Sequence, residues 1–202
     1  MTDIEFLYDF GSPNAYLVHK VLPGIAKNHE ARVTYSPILL GGVFKATNNQ
    51  APLAAFANVT GKVDYIRREF ARFIERHTVQ FKWNDNFPVN TLTVMRGALF
   101  AQGKPWEQQY IDTCFDAMWM QGANMADPDV VLSTLDAAGL PGANILSATQ
   151  IPDVKGRLAA VTDEAIARNV FGAPTLFVKD EMFFGKDALD DMVWRLDQMK
   201  AG

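Results

Sequence analysis

The chain has a single cysteine, Cys114, among its 202 residues. One thiol can form neither an intramolecular disulfide nor a dithiol redox pair, so internal thiol–disulfide exchange is excluded. Histidine is scarce too. His19, His29 and His77 lie far apart with no paired-ligand spacing, and no metal site is expected. Neither G-x-G-x-x-G nor G-x-x-x-x-G-K-[ST] occurs, which removes the usual signals for nucleotide binding. The lysines and arginines are scattered and the net charge is −4, so nucleic acid is not an expected partner. No apolar run is long enough to span a bilayer. Residues Met1 to Glu5 are acidic and lack a basic stretch followed by an apolar one, so a cytoplasmic location is expected. There is no fixed-period repeat and no low-complexity segment.

What is present is ordinary globular material, 49 % hydrophobic and 21 % charged. The length suits one large domain, or one domain carrying an insertion, with a core that needs no staples. The chain is organised around Tyr8-Asp9-Phe10-Gly11-Ser12-Pro13-Asn14-Ala15-Tyr16-Leu17. Before it, Ile4-Glu5-Phe6-Leu7-Tyr8 alternates and reads as a strand. After it, Ala15, Leu17, Val18, Val21, Leu22, Ile25 and Ala26 recur at helical spacing to about Asn28, with Pro23 expected to kink the helix. Ser12 fits the N-cap and Pro13 the first helical turn. Such a junction offers unpaired N–H groups and positive potential. It is also how many helices without a function begin, so Ser12 alone decides nothing.

Arg32 to Pro37 reads as a second strand, which makes a βαβ unit with a right-handed crossover. Ile38 to Gly61 is rich in Gly, Asn and Pro and reads as a long irregular loop, the kind that is functional or mobile. A helical pattern starts at Lys62, with Val63, Ile66, Phe70, Phe73 and Ile74 on one stripe and Arg67, Arg68, Glu69 and Arg72 on a solvated face. Asn84 to Asn90 is a second turn-rich segment. Further helices are expected over Leu92–Gln102, from Pro105 to Gly122, over Val130–Ala138 and over Asp153–Asn169. Met118, Trp119 and Met120 fit either core or a ligand wall. Leu176–Lys179 and Met182–Phe184 then form two strands joined by Asp180-Glu181, and Gly185-Lys186-Asp187 opens a last amphipathic helix. With the helical block removed, the order is that of a thioredoxin-like α/β fold: a four-stranded mixed sheet with helices on both faces. The expected division is 1–61 with 151–202 as that domain, and 62–150 as an inserted helical one.

Phe6 to Leu17, Gly172-Ala173-Pro174-Thr175 and Phe184-Gly185-Lys186-Asp187-Ala188-Leu189 together resemble the 2-hydroxychromene-2-carboxylate isomerase family. They are similar also to its relatives, the kappa-class glutathione transferases. Leu39 to Lys45 and Phe87 to Leu92 match the isomerase pattern as well, so the resemblance runs along nearly the whole chain. It implies a DsbA-like thioredoxin fold with an inserted helical domain, glutathione as cofactor, a small aromatic keto acid or chromene carboxylate as substrate, and a homodimer.

The resemblance also implies site residues. Ser12 stands where disulfide oxidoreductases keep a nucleophilic cysteine. A serine cannot form a disulfide, but it can donate a hydrogen bond to a glutathione thiolate at a helix N-terminus and lower the thiol's pKa. Ala173-Pro174 is implied to be a cis peptide presenting Ala173 to the cysteinyl part of glutathione; an ordinary trans proline is the alternative. Asp187, beside Lys186, matches the residue that binds the γ-glutamyl amine, though it also suits a helix start. Asn49 and Lys62 match further glutathione contacts. For the substrate, Lys45 is the candidate cation for a carboxylate, and Trp83, Phe87 and Trp119 the candidate aromatic walls. The implied reaction is thiolate addition, bond rotation and elimination. The rivals are a transferase that completes the addition and a binding module in which Ser12 is only a cap.

Overall fold

A computed structural model of the chain describes residues 1–201. Strands β1 (Thr2–Tyr8), β2 (Ala31–Pro37), β3 (Thr175–Val178) and β4 (Glu181–Phe184) form one mixed sheet in the order β2-β1-β3-β4. β1 runs parallel to β2, from Thr2 opposite Ala31 to Tyr8 opposite Pro37. It runs antiparallel to β3, and β3 antiparallel to β4. β1 is central, which is why Phe6, Leu7 and Tyr8 are buried in succession. The period of two sends them to opposite faces. Ile4, Phe6 and Tyr8 join the larger core. Leu7 and Phe177 join a smaller cluster with Ile38, Val43, Ala165 and Val170.

Helix α1 (Pro13–Asn28) crosses from β1 to β2 and continues through Pro23. Of the apolar stripe read in the sequence, Ala15, Leu17, Val18, Leu22 and Ala26 are buried and Val21 and Ile25 partly buried, while Tyr16 and His19, outside that stripe, are buried as well. α2 (Leu40–Thr47) and the single turn α3 (Pro52–Ala55) follow, and here the expected irregular loop is corrected. α2 begins without a side-chain cap of its own. Instead, Leu40 donates its N–H to the Asp9 carboxylate at 2.8 Å and Leu39 its N–H to the Thr162 hydroxyl at 3.0 Å. Both acceptors are distant in sequence, so local residues gave no start signal.

α4 (Lys62–His77) buries Phe70 and Phe73 and leaves Arg67, Arg68 and Arg72 in solvent. α5 (Leu92–Ala101) has Thr91 at its cap position, but Asn90 makes the cap bond, its side-chain oxygen accepting from the Leu92 N–H at 3.0 Å. α6 (Glu107–Asp116) runs on as a π-helical turn over Ala117–Gln121 and stops at Gly122, whose φ of 75° suits glycine. α7 (Pro128–Ala137) is followed by α8 (Gly142–Ala148), which lies between two expected helices where none was expected, and by α9 (Pro152–Ala167). A 3₁₀ turn, Lys186–Ala188, leads into α10 (Leu189–Ala201). Residues of α4 to α8 pack in one continuous core with the sheet, through Phe70, Met95, Tyr110, Phe115, Leu135 and Ile145.

Candidate active site

β1 ends at Tyr8, and Asp9-Phe10-Gly11-Ser12 turns the chain into α1. Ser12 caps the helix: its Oγ accepts the Ala15 N–H at 3.1 Å. Its own hydroxyl proton is donated to the carbonyl of Ala173 at 2.8 Å. The Ala173-Pro174 peptide is cis, as the resemblance implied, and the loop carrying it is pinned at both ends. The Thr175 hydroxyl donates to Gly172 O at 2.8 Å, and the Gly185 N–H to Pro174 O at 3.0 Å. A helix N-terminus and a cis-proline loop, far apart in sequence, thus meet at one hydroxyl. Phe87-Pro88 is cis as well.

Beneath this junction lies Asp9, 1 % exposed. One carboxylate oxygen accepts the Gly11 N–H at 2.8 Å and the Thr91 hydroxyl at 2.7 Å; the other accepts the Leu40 N–H. Burial pushes the Asp9 carboxyl above the usual range, and the three hydrogen bonds pull the other way. The carboxylate ties the α1 turn to the starts of α2 and α5. The resemblance assigned Asp9 no role. Its one sequence signal is an acidic residue inside the apolar run Phe6 to Phe10.

Ser12 opens on a cavity of about 580 Å³. It is lined by Gly11 to Asn14, by Leu40, Phe44 and Thr47 of α2, and by Asn48 to Gln50, α3 and Phe56. Ile66 and Phe70 of α4 line it too, with Trp83, Phe87, Phe171 to Ala173 and Phe184. The lining is mostly aromatic and aliphatic, and no charged side chain belongs to it.

The sequence-derived candidates fall in different places. Ser12, Ala173, Asn49, Trp83 and Phe87 all line the cavity. Asn49 bonds Phe171 O through its amide nitrogen at 2.8 Å and the Gln50 N–H through its oxygen at 2.8 Å. Pro174 sits in the cis loop, outside the lining. Lys186 is 3 % exposed; its ammonium pairs with the Asp187 carboxylate and lies 5.4 Å from the centre of the Phe70 ring, itself a cavity wall. Asp187 is largely exposed. Lys62 stands over the rings of Phe56 and Tyr65, at 5.4 and 5.5 Å. Lys45 is exposed on α2 and not part of the lining.

Trp119 does not reach the cavity. Its indole is fully buried, donates to Phe10 O at 2.7 Å and stacks parallel on Phe81 with centroids 5.9 Å apart. Of the two readings of Met118 and Trp119, the structure places both residues in the core. The lining aromatics Phe44, Phe56, Phe70, Phe171 and Phe184 were missed. They come from five separate segments, so no local pattern unites them. Among the described residues no group of acidic, histidine and cysteine side chains is placed to hold a metal, and no helix is long and apolar enough to cross a membrane.

The family model described as a DSBA-like thioredoxin domain matches residues 3–197. The 2-hydroxychromene-2-carboxylate isomerase of Sphingobium xenophagum is 26 % identical over 187 residues, covering 93 % of this chain and 94 % of its own. Rattus norvegicus glutathione S-transferase kappa 1 is 24 % identical over 216 residues, covering 98 % of this chain and 92 % of its own. A solved 2-hydroxychromene-2-carboxylate isomerase superposes with a TM-score of 0.83 at 25 % identity, over 98 % of each chain. A probable DsbA oxidoreductase of Streptomyces coelicolor shares the fold with a TM-score of 0.75 at 12 % identity, over 98 % of this chain and 89 % of its own.

Proposed function

The chain belongs to the DSBA-like thioredoxin domain family, and within it we propose a glutathione-dependent isomerase that interconverts 2-hydroxychromene-2-carboxylate and trans-o-hydroxybenzylidenepyruvate. The observation that carries this reading is the Ser12 hydroxyl, held between the α1 N-terminus and the cis-proline loop in the lining of an aromatic cavity. Full-length similarity to isomerases supports it.

The residues present fit glutathione. A capped helix N-terminus with a hydroxyl donor suits a thiolate, and Ala173 lies beside it. Asn49, Lys62, Lys186 and Asp187 are the polar groups around the cavity that would hold its ends. When bound, glutathione supplies a thiolate that adds reversibly to the conjugated carbon of an aryl-alkylidene pyruvate and so frees rotation about the former double bond.

The chain's own part is to favour the ionised sulfur and hold the aryl group. Ser12 has one proton to donate. In the resting site it goes to a neutral acceptor, Ala173 O. A charged acceptor makes the stronger hydrogen bond, so Ser12 turns to a thiolate more readily than to a thiol and lowers the thiol's pKa. Trp83, Phe87 and Phe44 wall the aromatic ring and exclude water. No chain thiol takes part, since Cys114 is wholly buried.

The test is to supply 2-hydroxychromene-2-carboxylate with and without glutathione and follow the ultraviolet spectrum for the open isomer. No glutathione-dependent change refutes the reading. Ser12→Ala should keep the fold, costing about 1 kcal/mol through the lost cap, and lose most of the activity. Similarity to the kappa-class enzyme favours a second reading, conjugation to electrophiles. An aromatic halide assay decides that. The homodimer implied by the relatives is checked by light scattering.

A further inference from the structure

Glutathione and the keto acid both carry carboxylates, and a carboxylate held by a protein ordinarily meets a cation. The lining of the cavity holds no charged side chain. Two lysines stand against its aromatic walls instead. Lys186 lies over the Phe70 ring, but it is buried and its ammonium is already on the Asp187 carboxylate. Lys62 is the other. Among the described residues the lysines in ion pairs are Lys20 and Lys186, so the Lys62 charge is uncompensated.

Lys62 is held nonetheless. Its ammonium lies 5.4 Å from the centre of the Phe56 ring and 5.5 Å from that of Tyr65. Phe56 both lines the cavity and is 38 % exposed, which puts it at the mouth. Tyr65 follows Lys62 by three residues on α4, so the two share a face of the helix, and it does not line the cavity. The Arg72 guanidinium lies 5.5 Å from the same Tyr65 ring. An aromatic face attracts an ammonium without neutralising it, so the charge stays available to an anion. The rings also restrict a flexible four-carbon stem, and a side chain fixed beforehand loses less freedom when a ligand binds. Helix stability does not account for the placement. Lys62 is the first residue of α4, where the dipole favours an acid.

We propose that Tyr65 is a positioning residue: together with Phe56 it holds the Lys62 ammonium at the mouth of the cavity, ready for a carboxylate of a bound ligand. This rests on the isomerase reading, in which glutathione and an aromatic keto acid share the site. The carboxylate belongs to the glycyl end of glutathione, to its γ-glutamyl end, or to the keto acid.

Tyr65 is the residue to change, because Phe56 also lines the cavity. Tyr65→Leu removes the ring and Tyr65→Phe keeps it. Calorimetry gives the Kd of glutathione, of its glycine amide, and of 4-aminobutyryl-cysteinylglycine, which lacks the γ-glutamyl carboxylate. Kinetics at saturating glutathione give the KM of trans-o-hydroxybenzylidenepyruvate and of its methyl ester. Tyr65→Leu should weaken the ligand whose carboxylate meets Lys62 by about two- to fivefold, the scale of one exposed cation–π contact. The form lacking that carboxylate should be unaffected, and which form escapes identifies the source. Tyr65→Phe should restore wild-type values. In a Lys62→Met background Tyr65→Leu should add nothing, since the ring then has no ammonium to hold. Equal weakening of every ligand and analogue overturns the inference and leaves the isomerase reading standing. So does no change in any of them, or an undiminished effect in the Lys62→Met background. A wild type that neither binds glutathione nor needs it for turnover brings down both.

Discussion

Asp9→Asn is the substitution that most directly probes how the site is held. The wild-type carboxylate accepts from the Gly11 N–H, the Thr91 hydroxyl and the Leu40 N–H. An amide keeps one acceptor oxygen and replaces the other with a donor. With the oxygen kept toward Gly11 and Thr91, the Leu40 N–H faces an NH₂ group and loses its partner. A buried N–H left unpaired costs about 1–3 kcal/mol. Against that, the amide removes a desolvated charge, so the net loss at neutral pH lies toward the lower end. Asp9→Ala removes every acceptor and orphans both backbone N–H groups, about 2–6 kcal/mol at the same scale. The α2 wall and the Gly11-Ser12 turn would then be free to shift, and a displacement of about 1 Å at a reacting group can lower kcat/KM about 10²-fold.

The pH dependence gives the sharper check. Burial raises the Asp9 carboxyl above its ordinary value. The native state therefore holds this proton to higher pH than the unfolded chain. The stability linked to it is complete below the ordinary carboxyl range and is lost as pH rises through the folded value. Asparagine has no such titration. Urea denaturation of wild type and Asp9→Asn across a pH series should show a wild-type advantage that is largest in acid and narrows as pH rises. An advantage that widens with pH would refute the assignment, since it would mean the folded carboxyl sits below its ordinary value. Equal urea midpoints at every pH would show that the three hydrogen bonds carry no stability.

Three further outcomes follow from buried groups and close approaches. Trp119→Phe retains a ring against Phe81 but loses the indole N–H to Phe10 O; thermal or urea melts should show a loss of about 1–3 kcal/mol. Cys114 is fully buried and its thiol is pushed up to about 12 by desolvation, so an aromatic disulfide reagent at neutral pH should label none of the native protein and one thiol per chain after denaturation. In Gly172→Leu the added Cβ would lie 2.8 Å from the Phe184 ring edge. That ring is 40 % exposed and can swing, so the fold should survive while the side chain narrows the cavity, and steady-state kinetics should show a raised KM.

How far the sequence was legible varies with the range of the interaction concerned. Elements whose signals are local came through: the alternation of β1, the stripe of α1, and Phe70 and Phe73 on α4. α2 did not, because the groups that meet its first N–H donors are Asp9 and Thr162, which lie 31 residues before Leu40 and 123 after Leu39. To a local reading, Gly41-Gly42 without a cap is a loop. α8 was hidden in the same way behind Gly139 and Pro141, although Ile145 reaches the core. The site divides along this line too. Ser12 stood out as a cap, and of the candidate aromatic walls Trp83 and Phe87 line the cavity while Trp119 does not. Asp9 reads as a strand-end acid until the fold puts Thr91 and Leu40 against it.

The same distinction explains why the charge of the cavity could not be anticipated. Lys45 was the candidate cation because a carboxylate-bearing substrate calls for one. On a helix, adjacent positions point about 100° apart. Phe44 faces the cavity, so Lys45 faces water. Lys62 and Lys186 approach the site by other routes, and each meets an aromatic ring first. A list of basic residues near a motif thus overstates the positive charge a ligand would meet. What decides is which positions the α2 and α4 faces turn inward, and those positions are Leu40, Phe44, Thr47, Ile66 and Phe70, none of them charged.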